Sequence, residues 1–122
     1  MMNDKNITLN KSFDFAVRIV NLYKYLCNTK KEYIISKQLL RSGTSIGANI
    51  NEAQAAQTKK DFTAKMSIAS KEARETNYWI SLLIATDYLS KEDRHTKSLL
   101  SEVEDLINLL TSIVKTSQTK EL

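Results

Sequence analysis

Apolar residues recur along this chain at the three- and four-residue spacing of amphipathic helices, in four separate stretches. The first stretch, from about Ser12 to Cys27, carries two stripes: Phe13, Ala16, Val20, Tyr23 and Cys27, and beside them Phe15, Ile19, Leu22 and Leu26. Together they cover more than half of the helix, whereas a helix at the edge of a lone bundle needs one stripe. Either this helix sinks deep into its own bundle, or the Phe15, Ile19, Leu22, Leu26 stripe meets a second subunit. The second stretch, about Ser36 to Gln57, aligns Leu39, Gly43, Ile46, Ile50 and Ala53, with Leu40 and Gly47 beside them. The third, about Lys59 to Asp87, aligns Phe62, Met66, Ala69, Ala73, Thr76, Ile80 and Leu83, with Trp79 to one side. The fourth, about Lys91 to Ser117, aligns Leu99, Val103, Leu106, Leu110 and Ile113, with Glu102, Glu104, Asp105 and Asn108 facing away.

Thr58 with Asp61, and Ser90 with Asp93, read as capping signals ahead of the third and fourth helices. The connections are short, so consecutive helices are expected to be antiparallel neighbours. The predicted fold is all-α, an up-down-up-down four-helix bundle in one domain spanning residues 1–122. Residues 1–9 and 118–122 are expected to fray, with Ile7 and Leu9 able to tuck onto the bundle.

Composition agrees with this pattern. Proline is absent and the only glycines are Gly43 and Gly47, so the punctuation that strands and hairpins need is missing. A helical glycine costs about 1 kcal/mol relative to alanine, and two of them four residues apart predict a close approach by another backbone. The spacing is a membrane motif only within a long apolar span, and no run here reaches the roughly 18 apolar residues of such a span. The first ten residues hold no apolar stretch of signal-peptide length. The single cysteine, Cys27, suits a reducing compartment. A cytoplasmic protein without membrane contact is expected.

The chemistry of catalysis is sparse. His95 is the only histidine, placed in the first turn of the fourth helix, and Cys27 falls on an apolar stripe. One histidine and one cysteine make no zinc-type ligand set, and no phosphate-binding loop, dinucleotide fingerprint or nucleophile elbow occurs. The inward stripes carry leucine, isoleucine and alanine where a di-metal bundle needs glutamates. No enzyme activity, cofactor or metal is expected.

Two segments are distinctive: Leu40-Arg41-Ser42-Gly43-Thr44-Ser45-Ile46-Gly47-Ala48-Asn49-Ile50-Asn51-Glu52-Ala53 and Lys71-Glu72-Ala73-Arg74-Glu75-Thr76-Asn77-Tyr78-Trp79-Ile80. Both closely resemble the bacterial four-helix-bundle proteins of the rRNA intervening-sequence family, and the accessory proteins of diversity-generating retroelements are similar in fold. The resemblance runs from about Ile7 into the fourth helix. It implies a four-helix bundle that assembles into a homopentameric ring, and a proposed nucleic-acid role, since the retroelement relatives work with a reverse transcriptase.

The same residues have a direct physical reading. Arg41, Ser45, Asn49 and Glu52 share one polar stripe. Antiparallel pairing about the middle turn sets Ser45 and Arg41 near Glu72, and Glu52 near Lys65. Such a stripe is a subunit-contact network, a solvated face or a ligand site. Net charge is +4, and the topology concentrates the excess at the two ends. The middle turn brings Lys59 and Lys60 to the end where Lys11 is expected to project, while Lys30, Lys31 and Lys37 lie at the opposite end. A ring of aligned subunits multiplies these end charges, which suits RNA or DNA. A scaffold that recruits a protein partner, without nucleic-acid contact, is the alternative.

Overall fold

The computed structural model describes residues 6–120 of the chain. They form four helices: α1 (Ile7–Asn28), α2 (Ile35–Ala53), α3 (Lys59–Ala85) and α4 (Arg94–Lys120). Backbones approach closely only between α1 and α2, α2 and α3, α3 and α4, and α4 and α1. Cross-helix contacts give the directions. Gly43 lies against Ile19, and Gly47, one turn later, against Ser12, so α1 and α2 are antiparallel. Arg41 reaches Glu72 while Glu52, late in α2, meets Lys65, early in α3. Thr63 pairs with Ser117, and Arg74 donates to the Thr111 hydroxyl at 2.8 Å, which reverses α4 against α3. The result is an up-down-up-down bundle.

The predicted core stripes of α2, α3 and α4 are the observed ones. Leu39, Ile46, Ile50, Met66, Ala69, Ala73, Ile80, Leu83, Val103, Leu106 and Leu110 are all buried. Two hydroxyl pairs join them inside the seams, Thr76 with Ser42 at 2.9 Å and Thr63 with Ser117. Each supplies the partner that a buried polar group needs.

The α1 helix requires a correction. Phe15, Ile19 and Leu26 have no exposed surface and Leu22 is half-buried, so the stripe read as a possible subunit contact is the core stripe of this chain. Phe15, Ile19 and Leu26, fully buried, cannot meet a second subunit, whereas half-buried Leu22 borders an open cleft. The outward apolar surface is instead Phe13, 61% exposed, and Val17 one turn on. The helix also begins at Ile7, not Ser12, because Ser12 lies inside it: its hydroxyl turns back to the Leu9 carbonyl at 2.8 Å and sits under Gly47. Residues 7–9 and 118–120, expected to fray, are helical, while residues 1–5 and 121–122 of those tails lie outside the described residues.

Helix ends are set by specific caps. Thr58 accepts the Asp61 N–H at 3.0 Å, as its sequence position suggests. At α4 the cap moves inward: Asp93 accepts the Thr96 N–H at 3.1 Å and the helix starts at Arg94, while Ser90 only closes the preceding turn onto Glu92. The α2 helix lacks the expected last turn and ends at Ala53. Its start is held by a residue outside the helix. Glu32, 7% exposed, accepts the N–H groups of Ile34, Ile35 and Ser36 at 3.1, 3.0 and 2.6 Å.

The α3 helix ends where Asp87 takes a left-handed φ of 67°, letting Tyr88 and Leu89 both donate to the Leu83 carbonyl. Glycine is the residue that enters this conformation without strain. Asp87→Gly is therefore expected to stabilise the fold by about 0.5–1 kcal/mol, measured as a raised denaturation midpoint with an unchanged slope.

Candidate functional site

The distinctive segments meet on the α2–α3 seam. Arg41 donates to Glu72 at 2.9 Å with one arm and to Glu75 with the other. Trp79 donates its indole N–H to the same Glu75 oxygen at 3.0 Å. The indole and then the guanidinium hold the Glu75 carboxyl below the usual carboxylate range. At the far end of α2, one residue before its last, Glu52 accepts from Lys65 at 2.8 Å. The expected Arg41–Glu72 and Glu52–Lys65 contacts are thus both present.

Ser45 and Asn49 behave otherwise. Each bonds back within α2, Ser45 to the Arg41 carbonyl at 2.7 Å and Asn49 to the Ser45 carbonyl at 2.8 Å. Glu75 and Trp79 are the members that the sequence reading passed over. Their spacings were the signal, since Glu72, Glu75 and Trp79 fall three and four apart on one face of α3. Beside them Tyr78, 59% exposed, meets Trp79 edge to face at 5.1 Å.

The lysines divide between the two ends of the bundle. Lys59 and Lys60 are exposed in the first turn of α3, where the positive end of the helix dipole adds to their charge. Lys59 borders a groove with Ser112 and Thr116 of α4. Lys11 borders a second groove on the other side of α4, with Ser112 again and with Asp105. Lys11 and Lys59 therefore flank the C-terminal half of α4 with hydroxyl side chains between them, while Asp14, Glu102 and Asp105 share an adjoining groove with Lys11 and offset its charge. Lys30, Lys31 and Lys37 are exposed at the opposite end.

That opposite end holds an open cleft of about 970 Å³ between the C-terminal half of α1 and the α3–α4 turn. Its apolar floor includes Leu22, Ile84, Leu89 and Leu99. Arg18 forms a wall, fixed by Glu102, by the Ser98 hydroxyl at 3.0 Å and by the His95 carbonyl at 3.1 Å. Glu102, expected to face away from the bundle, thus faces α1. His95 borders this cleft, whereas Cys27 lies 3.8 Å from Ser36 of α2. Among the described residues, no group of three or more His, Cys, Asp or Glu side chains is placed to hold a metal, and no helix is long and apolar enough to cross a membrane.

These features define an all-α four-helix bundle whose polar chemistry lies on its seams and ends. The family model described as 23S rRNA-intervening sequence protein matches residues 4–112, and the chain belongs to that family. It is also similar to a crystal structure from Bacteroides thetaiotaomicron, a protein with unknown function from the S23 ribosomal protein family. That protein is 53% identical, with a TM-score of 0.86 over 89% of this chain and 99% of the other. Curated proteins give no sequence match.

Proposed function

We propose that this chain is a non-catalytic, cytoplasmic accessory protein that assembles into a closed homopentamer and binds RNA or DNA through the basic ends of the ring. The observation that carries this reading is the placement of Lys59 and Lys60 at the N-terminus of α3, with Lys11 across α4 and Ser112 between the two grooves. Lysines and hydroxyls in that arrangement suit phosphate oxygens. No aromatic side chain borders either groove except the half-buried Phe62, so stacking on bases is not the mode of contact. Phosphate contacts position a strand but carry little sequence information, so binding is weakly sequence-selective.

A Lys59→Glu, Lys60→Glu double substitution is expected to weaken binding to unrelated RNA and DNA sequences alike. It should also flatten the salt dependence by about 0.7–0.9 in log–log slope for each phosphate that the variant no longer neutralises. Both residues are exposed beside a turn, so folding is expected to be spared. Sedimentation equilibrium of the wild type is expected to give the mass of roughly five chains. Absence of binding at low salt rejects the nucleic-acid reading. Equal binding with equal slopes moves the contact to Lys30, Lys31 and Lys37. A scaffold that recruits a protein partner is the second reading, favoured by the outward apolar surface of Phe13 and Val17 on α1. Affinity for such a partner would change little with salt.

A further inference from the structure

We propose that the turn between α1 and α2 is a second contact for nucleic acid, one that takes an unpaired base of a single strand onto the Tyr33 ring. The inference rests on the nucleic-acid reading above and adds to it a mode of contact that the Lys59 end lacks.

The turn holds an apolar pair out to water. Ile34 is 78% exposed and Tyr33 beside it is 57% exposed. Lys31 adopts a left-handed φ of 56°, and the Glu32 N–H donates to the Leu26 carbonyl at 3.0 Å. The buried Glu32 carboxylate then accepts the N–H of Ile34 itself, together with those of Ile35 and Ser36. A turn held from both sides keeps the pair outside the bundle in one conformation, which lowers the ordering cost of binding.

The hairpin that carries the pair exposes charge of one sign. Between Asp14 and Glu52 the chain holds six cations, Arg18, Lys24, Lys30, Lys31, Lys37 and Arg41, and one carboxylate, Glu32. That carboxylate is buried on its backbone donors. Arg18 is taken by Glu102, and Arg41 by Glu72 and Glu75. Lys30 lines the cleft that Asp87, Glu92 and Asp93 also line, so its charge is offset. Lys24, Lys31 and Lys37 are left, all exposed and, among the described residues, without an ion pair. Lys31 comes two residues before Tyr33 and Lys37 four residues after it, so an exposed ring stands between two ammonium groups.

An aromatic face with cations beside it suits unpaired bases and their phosphates. A duplex keeps its bases stacked on one another and offers the ring no face. A lipid surface also carries negative charge, but helices that lie in one bury a broad apolar face. Here Ile35 packs onto the core and Ser36 is buried, so the outward apolar surface along the turn ends at two side chains.

The test compares full-length wild type, Tyr33→Ser and Tyr33→Phe on a single-stranded oligouridine of about 12 nucleotides, within the span that such sites cover, and on a duplex of the same length. Tyr33→Ser is expected to bind the single strand about 5- to 150-fold more weakly, the range for loss of one base–aromatic stack. Its salt slope should match that of the wild type, because stacking neutralises no phosphate. Tyr33→Phe keeps the ring and should bind as the wild type does, and duplex binding should be the same for all three. Lys31→Glu with Lys37→Glu should instead flatten the salt slope. Helix content is expected to be unchanged throughout, since these side chains are exposed. The Tyr33→Ser loss should persist in the Lys59→Glu, Lys60→Glu chain, which separates the two ends. Equal single-strand binding by Tyr33→Ser and wild type overturns this contact and leaves the Lys59 reading standing. A Tyr33→Ser protein that loses only its binding to phosphatidylserine vesicles overturns it in favour of a lipid surface. A wild type that binds neither oligonucleotide at low salt overturns both readings.

Discussion

Gly43→Leu is expected to lower the unfolding free energy by about 3 kcal/mol, the upper part of the range for overpacked cores. A Cβ at position 43 would lie 2.8 Å from both γ carbons of Ile19 and 3.2 Å from its β carbon. Ile19 has no exposed surface, and close-packed interiors leave little room for a side chain to turn aside. Helix propensity alone predicts the opposite sign, because leucine is a better helix former than glycine by nearly 1 kcal/mol. A lowered midpoint in chemical denaturation therefore isolates the packing effect, and an unchanged or raised midpoint rejects it. Trimming the obstacle supplies the control. Ile19→Ala in the same chain removes the colliding atoms, so the double variant should lose less than the sum of the two single losses. At Gly47 a Cβ would sit 3.2 Å from the Ser12 hydroxyl and 3.4 Å from its carbonyl oxygen, part of a main chain that cannot rotate aside. Gly47→Leu should destabilise in the same direction.

Glu32→Ala is expected to cost about 2–3 kcal/mol near neutral pH, since it strips a charged acceptor from the N–H groups of Ile34, Ile35 and Ser36 at once. Burial pushes the Glu32 carboxyl up, but those backbone donors together with the Ser36 hydroxyl outweigh it and hold the carboxyl below its ordinary value of 4.5. A carboxyl depressed in the folded state contributes stability that is fully present above its unfolded value. That contribution fades as pH falls through the folded value. The stability gap between wild type and Glu32→Gln should therefore be constant from neutral pH down to about pH 5 and shrink below it. A gap that stays constant into stronger acid would show that the carboxylate charge is not what holds the turn.

These two positions also mark how far the sequence can be read. Gly43 was legible as a tight contact because glycine in a helix is costly and has to have a reason, but the expected backbone neighbour is found only at Gly47, against Ser12; Gly43 makes room for the Ile19 side chain. The core stripes of α2, α3 and α4 were legible because each helix has one clear apolar face. The α1 helix has two, and periodicity does not say which of two adjacent apolar stripes turns inward. That depends on Gly43 and Gly47 admitting Ile19 and Ser12, a contact between helices. Glu32 was hidden for a different reason: a carboxylate caps helices by short-range patterns within the first turn, and this one reaches in from the preceding loop after a left-handed Lys31. The Arg41–Glu72 pair followed from antiparallel register, but Glu75 and Trp79 joined it through spacings along α3 that register alone does not pick out.

The seam between α1 and α4 differs in kind from the other three. Each of those joins helices linked by a short turn, whereas Arg18 and Glu102 meet across 84 residues of chain. Closing a loop carries an entropy cost that grows with its length, so the three hairpin seams form from local contacts and the α1–α4 seam closes last on the folding path. Run backwards, the same order makes the parting of α1 from α4 the first large opening of the folded chain. Hydrogen exchange would then be fastest along that pair of helices, with the wall of the cleft that Arg18 builds among the first parts to come apart.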